Sequence, residues 1–370
     1  RTGNITLTIR SDLQALAQKE LAGRDGSVVM LDPKTGAVLA LYSYPDFDPN
    51  LLSHHPQLKG DPSAAAKALL EADTNQPLLA RAYRQIFFPG STFKLVTGSV
   101  GVQTGAVTET TPSYPVSTSY KPPRSGNYHL GNDAGESCGG TLFRILASSC
   151  NSAFGQMGVE LGPDKLAAGA DAFGFNSRPP IDLPAPVASY FPPPLTFVNR
   201  SSSLAQSAIG QFDVKATPLQ MALVAAGIAN GGKIEAPHVL NEIRDGDGDL
   251  IKDDKPQTWK TPISPATADL MKQAMVSVVT SGTGRGLGIP GMEVGLKTGT
   301  AQLGTNPPTS HTWIVGWAGP PGDPQVAIAV IIERQPGDHE ATGARVAGPV
   351  AKDLLTAALN PPAKPGGSGG

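Results

Sequence analysis

The sequence predicts an α+β fold, with one antiparallel sheet assembled from both chain ends, packed by helices, and an all-helical lobe inserted between them. Three observations predict it. The first forty-odd residues combine short β runs with one helix, residues from about 60 to 280 have helical texture, and the last third returns to β. The apolar fraction of 39% is too high for disorder, and 43 glycines with 35 prolines predict long irregular connections.

Element by element, "NITLTI" reads as a short strand and "SDLQALAQKELA" as a helix opened by Ser11 or Asp12 as cap. Two β runs, "SVVML" and "AVLALYSY", flank "DPKTG" and form a hairpin. Pro33 presets one turn dihedral and Gly36 takes the position where φ is positive, so Lys34–Gly36 is accounted for as a turn without any chemistry. The runs "PSAAAKALLEA", "STFKLVTGSVGV", "GTLFRILASSCNSAFGQMGVELG", "PDKLAAGADAFGF", "TPLQMALVAAGIANGG" and "SPATADLMKQAMVSVVT" have helical spacing or strong helix formers. Pro/Gly/Ser-rich loops span 105–139 and 176–203. The closing strands are "MEVGLKTGTA", "HTWIVGWAG" and "QVAIAVIIER", the last two joined through "PPGDP", and a helix "VAGPVAKDLLTAALN" follows. The expected organisation is one domain over residues 1–360, with an α/β lobe from about 1–60 and 290–360, a helical lobe over about 61–289, and a flexible tail at 361–370. A cleft between such lobes is where a site is expected.

Charge is balanced, 29 basic against 31 acidic residues, which excludes the basic footprint of a nucleic-acid binder. No apolar run approaches the roughly 18 residues of a membrane span, and no signal peptide opens the chain. The start "RTGNITL" lacks Met and reads as a processed or truncated form, so an anchor would lie upstream. Cys138 and Cys150, twelve positions apart, are either two buried thiols or, in an exported protein, a disulfide. The six histidines, His54, His55, His129, His238, His311 and His339, form no metal or triad motif, so neither metal nor cofactor is expected. "SGTGRGLG" at 281–288 lacks the strand-then-helix setting of a nucleotide loop and reads as a mobile connection.

The chemistry sits in three short segments. In "FFPGSTFKLVTG", Ser91 falls at a helix start with Lys94 one turn later on nearly the same face. A serine needs a base to become a nucleophile, and a lysine serves if burial and a nearby cation lower its pKa. A chain of this length offers about one Ser-x-x-Lys by chance, so the motif needs company. "LASSCNSAF" supplies Ser149-x-Asn151 near the middle of a helical region. The rival Ser125-Gly126-Asn127 lies in the loop "KPPRSGNYHL" and reads as a surface turn. The second Lys-Thr-Gly, Lys297–Gly299, lies inside a β run and is followed by Thr300; Gly299 would let another backbone approach closely.

Taken in order, "STFK", "SCN" and "KTGT" resemble the motifs of the penicillin-recognising active-site serine enzymes. Longer stretches, "LTIRSDLQALAQ", "VVMLDPKTGAVLALYSYPDFDPN", "LARAYRQIFFPGSTFK", "SAIGQFDVKATPLQMALVAAGIANGGKIEAPHVL" and "VVTSGTGRGLGIPGMEVGLKTGTAQ", are similar to the transpeptidase domain of class B penicillin-binding proteins, with an Ala/Gly/Pro-rich texture like actinobacterial members. The similarity is weakest over 105–139 and 176–200. It implies the penicillin-binding/β-lactamase-like transpeptidase fold and a serine D-Ala-D-Ala transpeptidase without cofactor. Ser91 would be acylated, Lys94 would be its base, and Ser149 would pass a proton to the leaving amine near Lys297. Asn151 would hold the substrate amide, Thr298 and Thr300 beside Gly299 its carboxylate, and the backbone N–H groups of Ser91 and Thr300 the oxyanion. Peptidoglycan stem peptides and β-lactams would be the ligands, a cell-wall synthesis or division complex the setting, and the outer side of the cell membrane the place. A Cys138–Cys150 bond would pin the loop that positions Ser149 and Asn151. The competing readings are a hydrolase (D,D-carboxypeptidase or β-lactamase) and a non-catalytic β-lactam sensor.

Overall fold

The computed structural model describes residues 3–53, 62–253, 255–337 and 341–360. The expected tail at 361–370, His54, His55 and His339 lie outside them. At the centre stands a five-stranded antiparallel sheet in the order Glu293–Gln302, Thr309–Gly319, Val326–Pro336, Gly26–Leu31, Val38–Tyr44. The two N-terminal strands thus continue a three-stranded meander from the C-terminal part, as both ends of the sequence suggest. Alternate side chains divide the sheet between two cores. Val28, Met30, Ile314, Ile328 and Val330 belong to one with the helices Ser11–Leu21 and Gly343–Leu359. Val29, Trp313, Val315, Trp317 and Ala329 belong to the other, with the helices that follow residue 90.

Behind that second face runs Pro218–Ala229, all twelve of whose residues are buried. Its near-continuous apolar sequence is what a helix surrounded by protein needs. Pro218 fills the first turn, and the Thr217 hydroxyl accepts from the Gln220 N–H at 3.0 Å. Ser264 and Pro265 open Pro265–Ser281 in the same way. The N-terminal helix differs from expectation: Arg10 holds its cap position without a side-chain cap, and Asp12 instead pairs with the Arg10 guanidinium at 2.7 Å.

The turn at 32–37 closes as the sequence predicts. The Gly36 N–H donates to Asp32 O at 2.9 Å and Gly36 has φ +80°. A Cβ there would also stand 2.3 Å from Ala236 O, so glycine is required twice over.

One expectation needs correction. The inserted segment is not all helical, for it also holds short strands. Tyr114–Ser117 pairs with Cys138–Gly140, Ser119–Tyr120 with Leu130–Gly131, and Ile234–Glu235 with Thr258–Lys260. Leu240–Arg244 pairs with both Leu250–Asp253 and the N-terminal strand Asn4–Leu7, which therefore joins a separate three-stranded sheet. A second correction follows at the middle motif. The run "GTLFRILASSCNSAFGQMGVELG" is two helices, Leu142–Ala147 and Asn151–Leu161, broken at Ser148–Cys150.

Candidate active site

Ser91 lies in a tight turn, Gly90–Phe93, that runs directly into the helix Lys94–Gln103. The sequence fixes this turn from three sides. Phe93 is fully buried, edge-on to Phe175 and stacked on Phe191. The Thr92 hydroxyl donates to Pro89 O at 2.7 Å. The Gly90 N–H donates to Gly210 O at 3.0 Å, with both glycines at positive φ. The strand Glu293–Gln302 closes on the same turn: a Cβ at Gly299 would stand 2.8 Å from Thr92 Cγ2 and 3.2 Å from Pro89 O. Gly299 therefore does what its place in a β run suggests, and lets strand and turn approach.

Ser149 marks the helix break. Its N–H donates to Leu146 O and the Cys150 N–H to Ile145 O, the double closure of a Schellman motif, with Ser149 at φ +57° in the position that favours glycine. A serine held there carries local strain, which persists only where the surroundings fix the residue. They do so here. Cys150 is tied to Cys138 by a disulfide, and Ser149 Oγ lies 3.2 Å from Lys94 Nζ and 2.9 Å from Lys297 Nζ.

Lys94 is fully buried at the centre of the arrangement. Its Nζ lies 3.0 Å from Ser91 Oγ and donates to Ser149 O and to Asn151 Oδ1, both at 2.6 Å. Those two oxygens can only accept, so they take two N–H groups, and a neutral amine turns its lone pair toward the serine hydroxyls. Burial, followed by the neighbouring Lys297, holds the Lys94 amine well below the usual lysine range, against a smaller upward pull from Asp133. Lys297, also fully buried, is lowered to about 7 by burial and donates to Thr298 O at 2.9 Å.

These groups open onto a cavity of about 570 Å³, whose wall includes Ser91, Ser149, Asn151, Thr298, Thr300 and Gln302. All three sequence segments thus converge. Ser125 bonds within its own turn, to Tyr128 O, and is not part of the wall. His311 is buried against Phe87 and held near 4 by burial, away from the wall.

Sequence reasoning missed several contributors. Thr283, in the stretch read as a mobile connection, is anchored: its N–H donates to Ala147 O at 2.9 Å and its hydroxyl meets that of Thr298 at 2.7 Å. Gly282 allows this, since a Cβ there would stand 2.3 Å from Ala147 O. The bond from Asn151 to Lys94 was missed as well, as was Asn132, which lines the cavity. A Gly in "SGTG" marks close backbone approach and could have pointed to Thr283; nothing local points to Asn132.

Comparison with known proteins identifies the family of the chain. Residues 26–356 match the family described as penicillin binding protein transpeptidase domain. The chain is 37% identical over 372 residues to the peptidoglycan D,D-transpeptidase PbpA of Mycolicibacterium smegmatis, covering 97% of this chain and 73% of that one. It superposes on the crystal structure of PBPA from Mycobacterium tuberculosis with a TM-score of 0.86 at 33% identity, over 97% of this chain and 81% of that one. An imipenem acyl-enzyme complex of penicillin-binding protein A from M. tuberculosis superposes with a TM-score of 0.85 at 32% identity, over 97% and 80%. With the family matched across most of its length, the chain belongs to the penicillin-binding protein transpeptidases, class B and of the actinobacterial type.

Proposed function

We propose that the chain is a single transpeptidase domain, residues 1–360, that cross-links peptidoglycan through an acyl-enzyme on Ser91. The observation that carries the assignment is the unbroken line from Ser91 Oγ to Lys94 Nζ (3.0 Å), on to Ser149 Oγ (3.2 Å) and to Lys297 Nζ (2.9 Å). A nucleophile, a base with a lowered pKa and a proton relay stand there in sequence.

In this reading the neutral Lys94 amine takes the Ser91 proton as Oγ attacks the carbonyl between the two terminal D-alanines of a stem peptide. The resulting oxyanion is held by the N–H groups of Ser91 and Thr300, each worth about 3 kcal/mol. The start of the helix behind Ser91 adds partial positive charge. Ser149, between the two lysines, passes the proton to the departing D-alanine amine, with the Lys297 amine as its other hydrogen-bond partner. Thr298, Thr300 and Gly299 receive the terminal carboxylate along the strand edge. Asn151 receives the donor amide with its Nδ2, while its Oδ1 keeps Lys94 in place. An amine of a neighbouring stem then attacks the ester by the reverse path. β-Lactams acylate the same serine.

Its substrate places the domain on the outer side of the cytoplasmic membrane. Among the described residues no helix is long and apolar enough to cross a membrane. An anchor outside this sequence and a place in a cell-wall synthesis or division complex are part of the proposal, to be tested by co-isolation from membranes. The activity itself is tested by incubation with a pentapeptide-bearing donor and an amine acceptor, followed by mass spectrometry. Cross-linked product is expected; release of D-alanine with water as the only acceptor would make the chain a hydrolase, and acylation without turnover would make it a sensor.

A further inference from the structure

The helix that presents Asn151 starts without a cap of its own. Cys150 occupies the cap position, but its sulfur is joined to Cys138, and it makes no side-chain cap bond. The missing acceptor comes from Asn132, nineteen positions before Asn151. Asn132 Oδ1 accepts from the Ser152 N–H at 2.8 Å, in the first turn of the helix. The remaining capacity of the same amide is also spent: Nδ2 donates to Ser117 O at 2.8 Å and to Glu136 O at 2.9 Å. One side chain thus joins the helix start to the strand Tyr114–Ser117 and to the turn that leads to Cys138. Its chain neighbour Gly131 accepts from Asn151 Nδ2 at 3.1 Å, which leaves Asn151 Oδ1 turned toward Lys94. Its other neighbour, Asp133, is the carboxylate that acts on Lys94.

We propose that Asn132 is a positioning residue for acylation: by capping the helix from across the cavity wall it holds Asn151 Oδ1 on the Lys94 amine and Asp133 at its distance from it. The inference rests on the assignment of Ser91 and Lys94 as nucleophile and base. The charged groups that act on Lys94 are Lys297, from the strand Glu293–Gln302, and Asp133, from the turn after Asn132. Loss of the Asn132 amide frees Asn151 and the Asp133 turn together. Both changes disfavour the charged amine, so the acid limb of the acylation profile moves to lower pH while the maximal rate falls. An aspartate at the same position keeps the acceptor for Ser152 N–H, suits a helix start, and adds negative charge near Lys94. In place of Nδ2 it sets an acceptor against Ser117 O and Glu136 O, so the rate falls here too, but the acid limb moves to higher pH, opposite to alanine.

The test is the rate of acylation by a fluorescent penicillin against pH, measured on the 370-residue chain and on Asn132→Ala and Asn132→Asp. Asn132→Ala is expected to acylate about tenfold to a hundredfold more slowly, as a displaced reacting group does. Asn132→Asp is expected to acylate more slowly than the parent as well, but with its acid limb raised where that of Asn132→Ala is lowered. A cap that served only folding would lower the melting temperature and leave the limb of folded protein unmoved. Asn132→Ala at the parent rate, or Asn132→Asp with the parent's limb, overturns the proposal. Should Asn132→Ala fail to fold, the aspartate variant still decides. Absence of label on Ser91 in the parent would instead overturn the assignment on which the inference rests.

Discussion

The tripeptide Lys-Thr-Gly occurs twice, and the two copies differ in everything but their letters. Lys34–Gly36 closes a hairpin at the surface. Lys34 is more than half exposed and paired with Asp323, the Thr35 hydroxyl accepts from the Ala37 N–H at 3.2 Å, and Gly36 supplies a positive φ. Lys297–Gly299 lies within the edge strand of the central sheet. There Lys297 is fully buried 2.9 Å from Ser149 Oγ, Thr298 meets Thr283, and Gly299 admits the Ser91 turn. A short motif has no chemistry of its own. Burial and the partners it meets supply it, by removing water from an amine and placing the hydroxyls of Ser149 and Thr283 within bonding reach of the motif.

The sharpest contrast concerns the lysines. Lys297→Ala is expected to slow acylation by a labelled penicillin at least about a hundredfold, the scale of a lost proton-handling group. Lys34→Ala should leave the rate unchanged and stability within about 0.5 kcal/mol. A comparable loss from both would break the contrast. The glycines come next. Gly299→Ala, which must push strand from turn, is expected to slow acylation about tenfold. Gly36→Ala should cost about 1–3 kcal/mol of stability through its backbone conformation, yet folded protein should acylate at the parent rate. Equilibrium unfolding and acylation rates on the same samples separate the two.

The smallest effect is a slope. Lys297 titrates near 7 when folded and near 10.5 when unfolded, so between these values the unfolded chain binds more protons and stability rises with pH. Lys297→Met should lose up to about 1.4 kcal/mol per pH unit of that rise, together with the share of the Lys94 lowering that Lys297 causes, which acts in the same direction. Identical slopes would show that Lys297 is not held neutral by burial.

Much of this was legible in the sequence, for identifiable reasons. The sheet could be read because its strands are long, apolar and bounded by Pro/Gly turns, and the hairpin because each of its turn residues has a local role. The three segments of the candidate site could be read in order, though not their meeting. The break at Ser148–Cys150 could not, because the apolar spacing runs through it and no glycine marks the left-handed residue; the cap is held by Lys94, Lys297 and the disulfide, all tertiary. The strands of the inserted segment escaped because most are two to four residues long, too short to show a period. One pair was within reach: "RDGDGDL" carries an Asp-Gly turn signal between Leu240–Arg244 and Leu250–Asp253. Asn132 and Thr283 act through partners distant in sequence; Gly282 beside Thr283 is a cue to close backbone approach, whereas the surroundings of Asn132 give none.

The most direct test of the central claim is to treat the protein with a labelled penicillin, digest it and map the adduct. The account predicts a single modified residue, Ser91, with no labelling in Ser91→Ala and strongly slowed labelling in Lys94→Ala. A label on any other residue, or a Lys94→Ala variant that acylates at the parent rate, would contradict it.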